Sequence, residues 1–151
     1  MHGFWLLVHV LGFTLWLGGG IATMVAGVTA KGFAPAERLK VYKTIGAVQR
    51  LIVGPGALGV VLSGIMLSMT FMRSGPMPGW LNAMMGAGLL GAIAAVALSV
   101  PTAARLARLN VDANGQLPAA FHGLRKRQVI VATVAGSLGL VALFAGTLLR
   151  P

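Results

Sequence analysis

The chain has 151 residues, of which 57% are hydrophobic and 9% charged, with 12 Lys and Arg against two acids, Glu37 and Asp112. So few charges cannot cover the surface of a soluble domain. The hydrophobicity excludes disorder and the absence of cysteine excludes a disulfide scaffold, which leaves an integral membrane protein of one domain.

Four apolar stretches free of Asp, Glu, Lys and Arg run in chain order: Phe4–Thr29, Leu51–Met72, Leu81–Val100 and Val129–Leu149. Each holds about 20 residues or more, enough to cross a hydrocarbon core of roughly 30 Å. Backbone groups in lipid must be satisfied within the segment, so each is expected to be a helix. The predicted fold is all-α: an antiparallel four-helix bundle in the membrane. The first run is long, and no Lys or Arg precedes it, so it reads as a retained span rather than a signal peptide.

The segments between the spans set the expected orientation. The first carries Lys31, Arg38, Lys40, Lys43 and Arg50; the second carries Arg73; the third carries Arg105, Arg108, Arg125, Lys126 and Arg127; the end carries Arg150. The positive-inside rule then predicts a bacterial inner-membrane protein with loops 1 and 3 cytoplasmic and both termini on the periplasmic side. The net charge of +10 is read as orientation and attraction to lipid headgroups, not as a nucleic-acid surface. Pro35-Ala36-Glu37-Arg38 predicts a helix start that runs through Lys43 into the second span. Asn110–Pro118 is a turn cluster, and Ala119–Arg127 is expected to lead helically into the fourth span.

Small residues at four-residue spacing mark candidate packing faces: Gly18/Ala22/Ala26 and Gly19/Thr23/Gly27 in the first span, and Ala135/Gly139 and Ala142/Gly146 in the fourth. Pro55, flanked by Gly54 and Gly56, is expected to kink the second span. Gly86, Gly88 and Gly91 match G-x-G-x-x-G, but they lie within an apolar span with no preceding strand, so they are read as packing glycines.

With no charged group in any span, ion-coupled transport and hydrolysis lack their usual side chains. The titratable candidates are three histidines. His9 shares a helix face with His2, Trp5, Gly12 and Trp16. Two readings of it are open: a packed histidine bonded to a neighbouring carbonyl or hydroxyl, or an axial ligand or metal ligand. His2 is about 10 Å of helix rise away, too far to share one metal. His122 sits among loop cations and reads as headgroup-facing. Met66, Met69, Met84 and Met85 lie at depths similar to His9, and they read either as packing residues or as thioether ligands to haem iron or copper.

Several short motifs, in order along nearly the whole chain, resemble a group of four-helix bacterial membrane proteins. The group includes the HemJ-type protoporphyrinogen oxidases and the membrane domain of copper-resistance D proteins. These motifs are His9…Trp16…Gly19, Gly54-Pro55-Gly56-Ala57 with Gly64, Gly79-Trp80-Leu81-Asn82-Ala83-Met84, and the ending Leu149-Arg150-Pro151. The resemblance implies a membrane haem-b protein with His9 as axial ligand. Met84 stands where the oxidases have lysine, Asn82 where they have histidine, and Val25 near the place of an arginine. Those groups would meet porphyrin carboxylates, so an active oxidase is not the expectation. The leading expectation is a small membrane protein that binds haem b, or failing that copper, near its outer face. His9, Trp16, Met66 and Met84 would be at the cofactor, and His9, Met69 and Met85 at a metal. The alternative is an accessory subunit packed against a larger membrane protein complex.

Overall fold

A computed structural model describes residues 2–72 and 76–149. Arg73 and the Arg150-Pro151 end, used above for charge and resemblance, lie outside the described residues. All regular structure among the described residues is helical. Helix α1 spans His2–Thr29 and ends in a short 3₁₀ turn, Ala30–Gly32. Helix α2, Pro35–Val48, starts on a proline at its first turn with Glu37 near its N-terminus, as the helix dipole favours. It continues through a π-helical segment, Gln49–Val53, into α3, Gly54–Met72. Helix α4, Gly79–Ile93, passes through a second π segment, Ala94–Ser99, into α5, Val100–Ala107. Helix α6 is Ala120–Leu148. Four of these continuous helical stretches are long and apolar enough to cross a membrane: His2–Gly32, Pro35–Met69, Gly79–Ala107 and Ala120–Leu148. The first and third contain the predicted runs Phe4–Thr29 and Leu81–Val100 whole, and the second and fourth contain all but the last residues of Leu51–Met72 and Val129–Leu149. The helical start at Pro35 and the helical lead into the fourth span are also present.

Both π segments stand just before a proline. Pro55 has no N–H to give, so the turn before it cannot close with ordinary bonds. The chain widens instead, and the Gly54 N–H reaches the Gln49 carbonyl five residues back. Before Pro101 the Val100 N–H reaches Ala95 in the same way. The disturbance expected at Pro55 therefore takes the form of a π turn, a recognised site of helix bending, and recurs at Pro101. The loop Asn110–Pro118 is built on Asp112. Its Oδ1 accepts the N–H groups of Asn114 (2.9 Å) and Gln116 (2.8 Å), and Gly115 takes a φ of 72° that only glycine adopts freely.

The contacts run antiparallel between α1 and the α2–α3 helix. Gly64 meets His9, Gly56 meets Gly12, Val53 meets Gly19, and Tyr42 meets Gly27. The α4–α5 helix meets α6 in the same sense, through Met84 with Gly146, Gly91 with Ala135 and Ser99 with Gln128. The four long helices thus pack as two close pairs, joined in the middle by Trp16, Val53, Ala57, Val60, Ala92, Ala95 and Ala135. Of the two small-residue faces on α1, the Gly19/Thr23/Gly27 face packs inward, while Gly18 meets open space. On α6, Ala135, Gly139, Ala142 and Ala145 are buried. Gly88 and Gly91 pack against α6, whereas Gly86 faces open space. The outer faces carry Leu, Ile, Val, Met and Phe; Leu7 and Leu51 are each 64% exposed, as suits side chains whose solvent is hydrocarbon.

Where α2, α5 and the start of α6 meet, a second core closes the end of the bundle at which the basic loops gather. It contains Ala30, Leu39, Tyr42, Ile45, Leu106 and Phe121. Arg38 lies 5.0 Å over the Phe121 ring, Tyr42 meets the same ring edge-on at 5.1 Å, and the Arg125 Nε donates to the Tyr42 hydroxyl at 2.9 Å. The cations at this end are therefore partly organised by aromatic faces as well as solvated.

Candidate functional site: a polar chain beside a cleft between the first and last helices

A seam between α1 and α6 is left partly open. A cleft of about 420 Å³ lies there, extending from Trp16 and Leu17 at mid-bundle to Lys31 and Arg125 at the basic end. It is open on the side flanked by exposed Ile21 and Met24 of α1 and exposed Val129 and Leu140 of α6. Glycines make room for it: a Cβ built on Gly20 or Gly136 meets nothing within 4 Å.

Four buried polar residues form a chain at its inner wall. The Gln49 Nε2 donates to the Thr23 hydroxyl at 3.1 Å, the Ser99 hydroxyl donates to Gln49 Oε1 at 3.4 Å, and the Gln128 Nε2 donates to Ser99 at 2.8 Å. Thr23 in turn donates to the Gly20 carbonyl at 2.9 Å. One residue comes from each of the four long helices, and all four line the cleft. Gln49 opens the first π segment and Ser99 closes the second, so the two widened turns aim their polar side chains at one another. The chain ends on an unsatisfied atom: Gln128 is only 6% exposed, and its Oε1 has no hydrogen-bond partner. A buried carboxamide oxygen without a donor is costly in a low-dielectric interior.

This arrangement allows a graded prediction. Gln49→Leu keeps the volume and removes two bonds; intramembrane hydrogen bonds average about 0.6 kcal/mol, so the expected loss is about 1–2 kcal/mol, read by thermal unfolding in detergent. Gln128→Leu removes one bond and one orphaned oxygen together, and it is expected to unfold within about 0.5 kcal/mol of the parent chain.

The histidine and methionines singled out above lie elsewhere. His9 is half-buried, and its Nδ1 is within hydrogen-bond distance of the Val60 carbonyl (3.1 Å) and the Ser63 hydroxyl (3.0 Å), with its ring against Gly64. Of the two readings open for it, the bonded packing histidine is the arrangement seen here. This bonding leaves Nε2 as the ring nitrogen that could meet a ligand. Met66 and Met69 are exposed on α3, at 41% and 46%. Met84 packs its sulfur against Gly146, and Met85 is half-buried on α4. Among the described residues no three His, Cys, Asp or Glu side chains gather into a metal site. Trp16 is buried and lines the α1/α6 cleft, while His9 and these four methionines do not. The structure therefore separates Trp16 from His9. Met66 and Met69 lie on the outer side of α3, Met84 contacts α6, and His9 bonds into α3 at Val60 and Ser63. His2 and His122 are both exposed, and the His122 ring stacks edge-on with Phe121 at 5.6 Å.

The polar chain escaped the sequence reading because each member is uncharged. Gln128 immediately precedes the run at Val129 and Gln49 stands two residues before the run at Leu51, so both fall outside the apolar runs. Ser99 lies one residue from the end of the third run. Three hydrogen-bonding side chains at the same end of three spans were the available signal. No family model, curated protein or solved structure matches this chain, so the site stands on its own geometry.

Proposed function

We propose that the protein is a four-span inner-membrane protein that binds an amphipathic molecule in the α1/α6 cleft. Its basic loops face the cytoplasm and its termini the periplasm. The observation that carries the reading is the orphaned Gln128 Oε1 at the wall of a cleft large enough for a ligand. A donor group on a bound molecule would complete the Thr23–Gln49–Ser99–Gln128 chain, and the glycine-lined seam gives that molecule a path from the lipid. Nothing in the cleft supplies a nucleophile–base pair, so the reading is of a binding protein and not of a hydrolase.

The test is what the protein carries out of the membrane. Solvent extracts of the purified chain are expected to contain about one amphiphile per chain. Extracts of Gly136→Leu, which adds bulk to the cleft wall at a position whose Cβ has no protein atom within 4 Å, are expected to lack it. Equal content in the two preparations would reject the cleft as the site. The orientation is tested independently, because the chain has no cysteine. A membrane-impermeant maleimide added to intact spheroplasts is expected to label His2→Cys and to spare Ala113→Cys. The opposite pattern would invert the topology.

A second reading, an accessory subunit of a larger membrane complex, is favoured by Gly18 and Gly86, which present bare backbone to open space. Such positions let another helix approach closely in lipid. Purification in a gentle detergent without any co-purifying chain would reject it.

A further inference from the structure

The charge and polarity of the cleft narrow the class of molecule it takes, granted that it is a binding site. Lys31 and Arg125 line its basic end, and neither acid of the chain lines it. Asp112 is engaged in its own loop, and Glu37 lies in the first turn of α2. Arg125 is held by one bond, Nε to Tyr42. A guanidinium has five N–H donors in a planar fork, so the remaining ones suit a phosphate or carboxylate. About one helical turn deeper, Gln128 Oε1 offers an acceptor and requires an O–H or N–H. Beyond Gln128 the lining up to Trp16 and Leu17 carries no charge and is apolar apart from the hydroxyls of Thr133 and Ser137, and the open side is bordered by side chains that face hydrocarbon.

We propose that the occupant is an anionic phospholipid whose head carries a hydroxyl. Its phosphate would lie at Lys31 and Arg125, its flexible head glycerol would turn back along the cleft wall so that a hydroxyl donates to Gln128 Oε1, and one acyl chain would extend along the cleft toward Trp16. The anion stays at the basic end, where headgroups lie, and only uncharged groups go deeper. A zwitterionic phosphocholine head has no donor for Gln128 and places a cation beside Lys31 and Arg125.

Native mass spectrometry of the full chain in detergent tests this with added phosphatidylglycerol, phosphatidylcholine, dodecanol and inorganic phosphate. The expected result is one retained phosphatidylglycerol per chain, bound at least tenfold tighter than phosphatidylcholine. Lys31→Gln and Arg125→Gln should each reduce that preference at least threefold. Lys31 is exposed, so its substitution leaves the fold intact even if loss of the Arg125–Tyr42 bond does not. Gly136→Leu should abolish the tight adduct. If phosphatidylcholine and dodecanol bind as tightly as phosphatidylglycerol, and all are lost in Gly136→Leu, the anionic class is wrong while the cleft remains a site. If inorganic phosphate displaces phosphatidylglycerol at equal concentration, the acyl chain contributes nothing and the lipid assignment fails. If lipid retention is unchanged by Gly136→Leu, the cleft reading itself is overturned.

Discussion

Gly12→Ala is expected to destabilise the bundle by about 1–3 kcal/mol, the usual cost of forcing extra volume into a packed interior, measured as a shift in thermal or denaturant unfolding in micelles. The reason is backbone-to-backbone contact between α1 and α3. A Cβ on Gly12 would sit 2.8 Å from the Gly56 carbonyl oxygen and 3.1 Å from the Val60 nitrogen. On Gly56 it would sit 2.8 Å from the Gly12 carbonyl oxygen and 2.9 Å from the Trp16 nitrogen. These neighbours are helix backbone and cannot rotate away, so the helices must part. In lipid there is no hydrophobic force to hold separated helices together, and the lost contacts are not replaced. Gly56→Ala should cost a similar amount. The double substitution should cost less than the sum, because the first methyl already opens the crossing that the second would need. Gly12→Leu should prevent the pair from forming. Gly18→Ala is the control: its Cβ meets nothing within 4 Å, and its effect should stay within about 0.5 kcal/mol. Equal effects at Gly12 and Gly18 would show that α1 and α3 do not cross where the structure puts them.

That contrast also marks what was legible in the sequence. Charge-free runs bounded by Lys and Arg announce helices long enough to span, because a charge inside one would be expensive. The chain therefore displayed the number of long helices, the continuation of Pro35 into the second run and the Asp112 turn. The inward face of each helix was not displayed. In a soluble helix polarity marks the outside, but here both sides are apolar, and Gly18 and Gly19 differ only in what the partner helix presents. The π turns were half legible: Pro55 flagged a disturbance, and Pro101, beyond the end of the third apolar run, flagged nothing. The site depended on those turns. Gln49 reaches Thr23 and Ser99 from a widened turn, and straight helical wheels do not place these residues together. The different surroundings of His9 and Trp16 have a related reason. Both lie near one stripe of α1, but at Trp16 that stripe meets Gly91 and Gly139 beyond α3, whereas at His9 it meets Val60 and Ser63 of α3.

Trp16→Ala is the substitution that joins the fold to the proposed function. The indole is 2% exposed. It fills the space between a Cβ-less Gly91, where an added carbon would come within 2.9 Å of the ring, and Gly139, and it meets Phe13 edge-on at 6.1 Å. Removing a buried aromatic side chain of this size costs about 3–5 kcal/mol when the neighbours cannot collapse into the hole. Glycine and alanine backbones around Trp16 have little side chain to collapse with, so the upper part of that range is expected. The hole would open into the deep end of the cleft and lengthen it. An amphiphile binding the folded chain and not the unfolded one should then recover part of the loss, by the logarithm of its concentration over its dissociation constant. The unfolding midpoint of Trp16→Ala should therefore rise with added phosphatidylglycerol more than that of the parent chain. His9→Ala, which gives up a bond to Val60 and Ser63 well away from the cleft, should lose only about 1 kcal/mol and leave lipid retention unchanged. If His9→Ala abolished ligand retention and Trp16→Ala did not, the functional centre would lie at the α1–α3 crossing around His9 instead of at the α1/α6 seam.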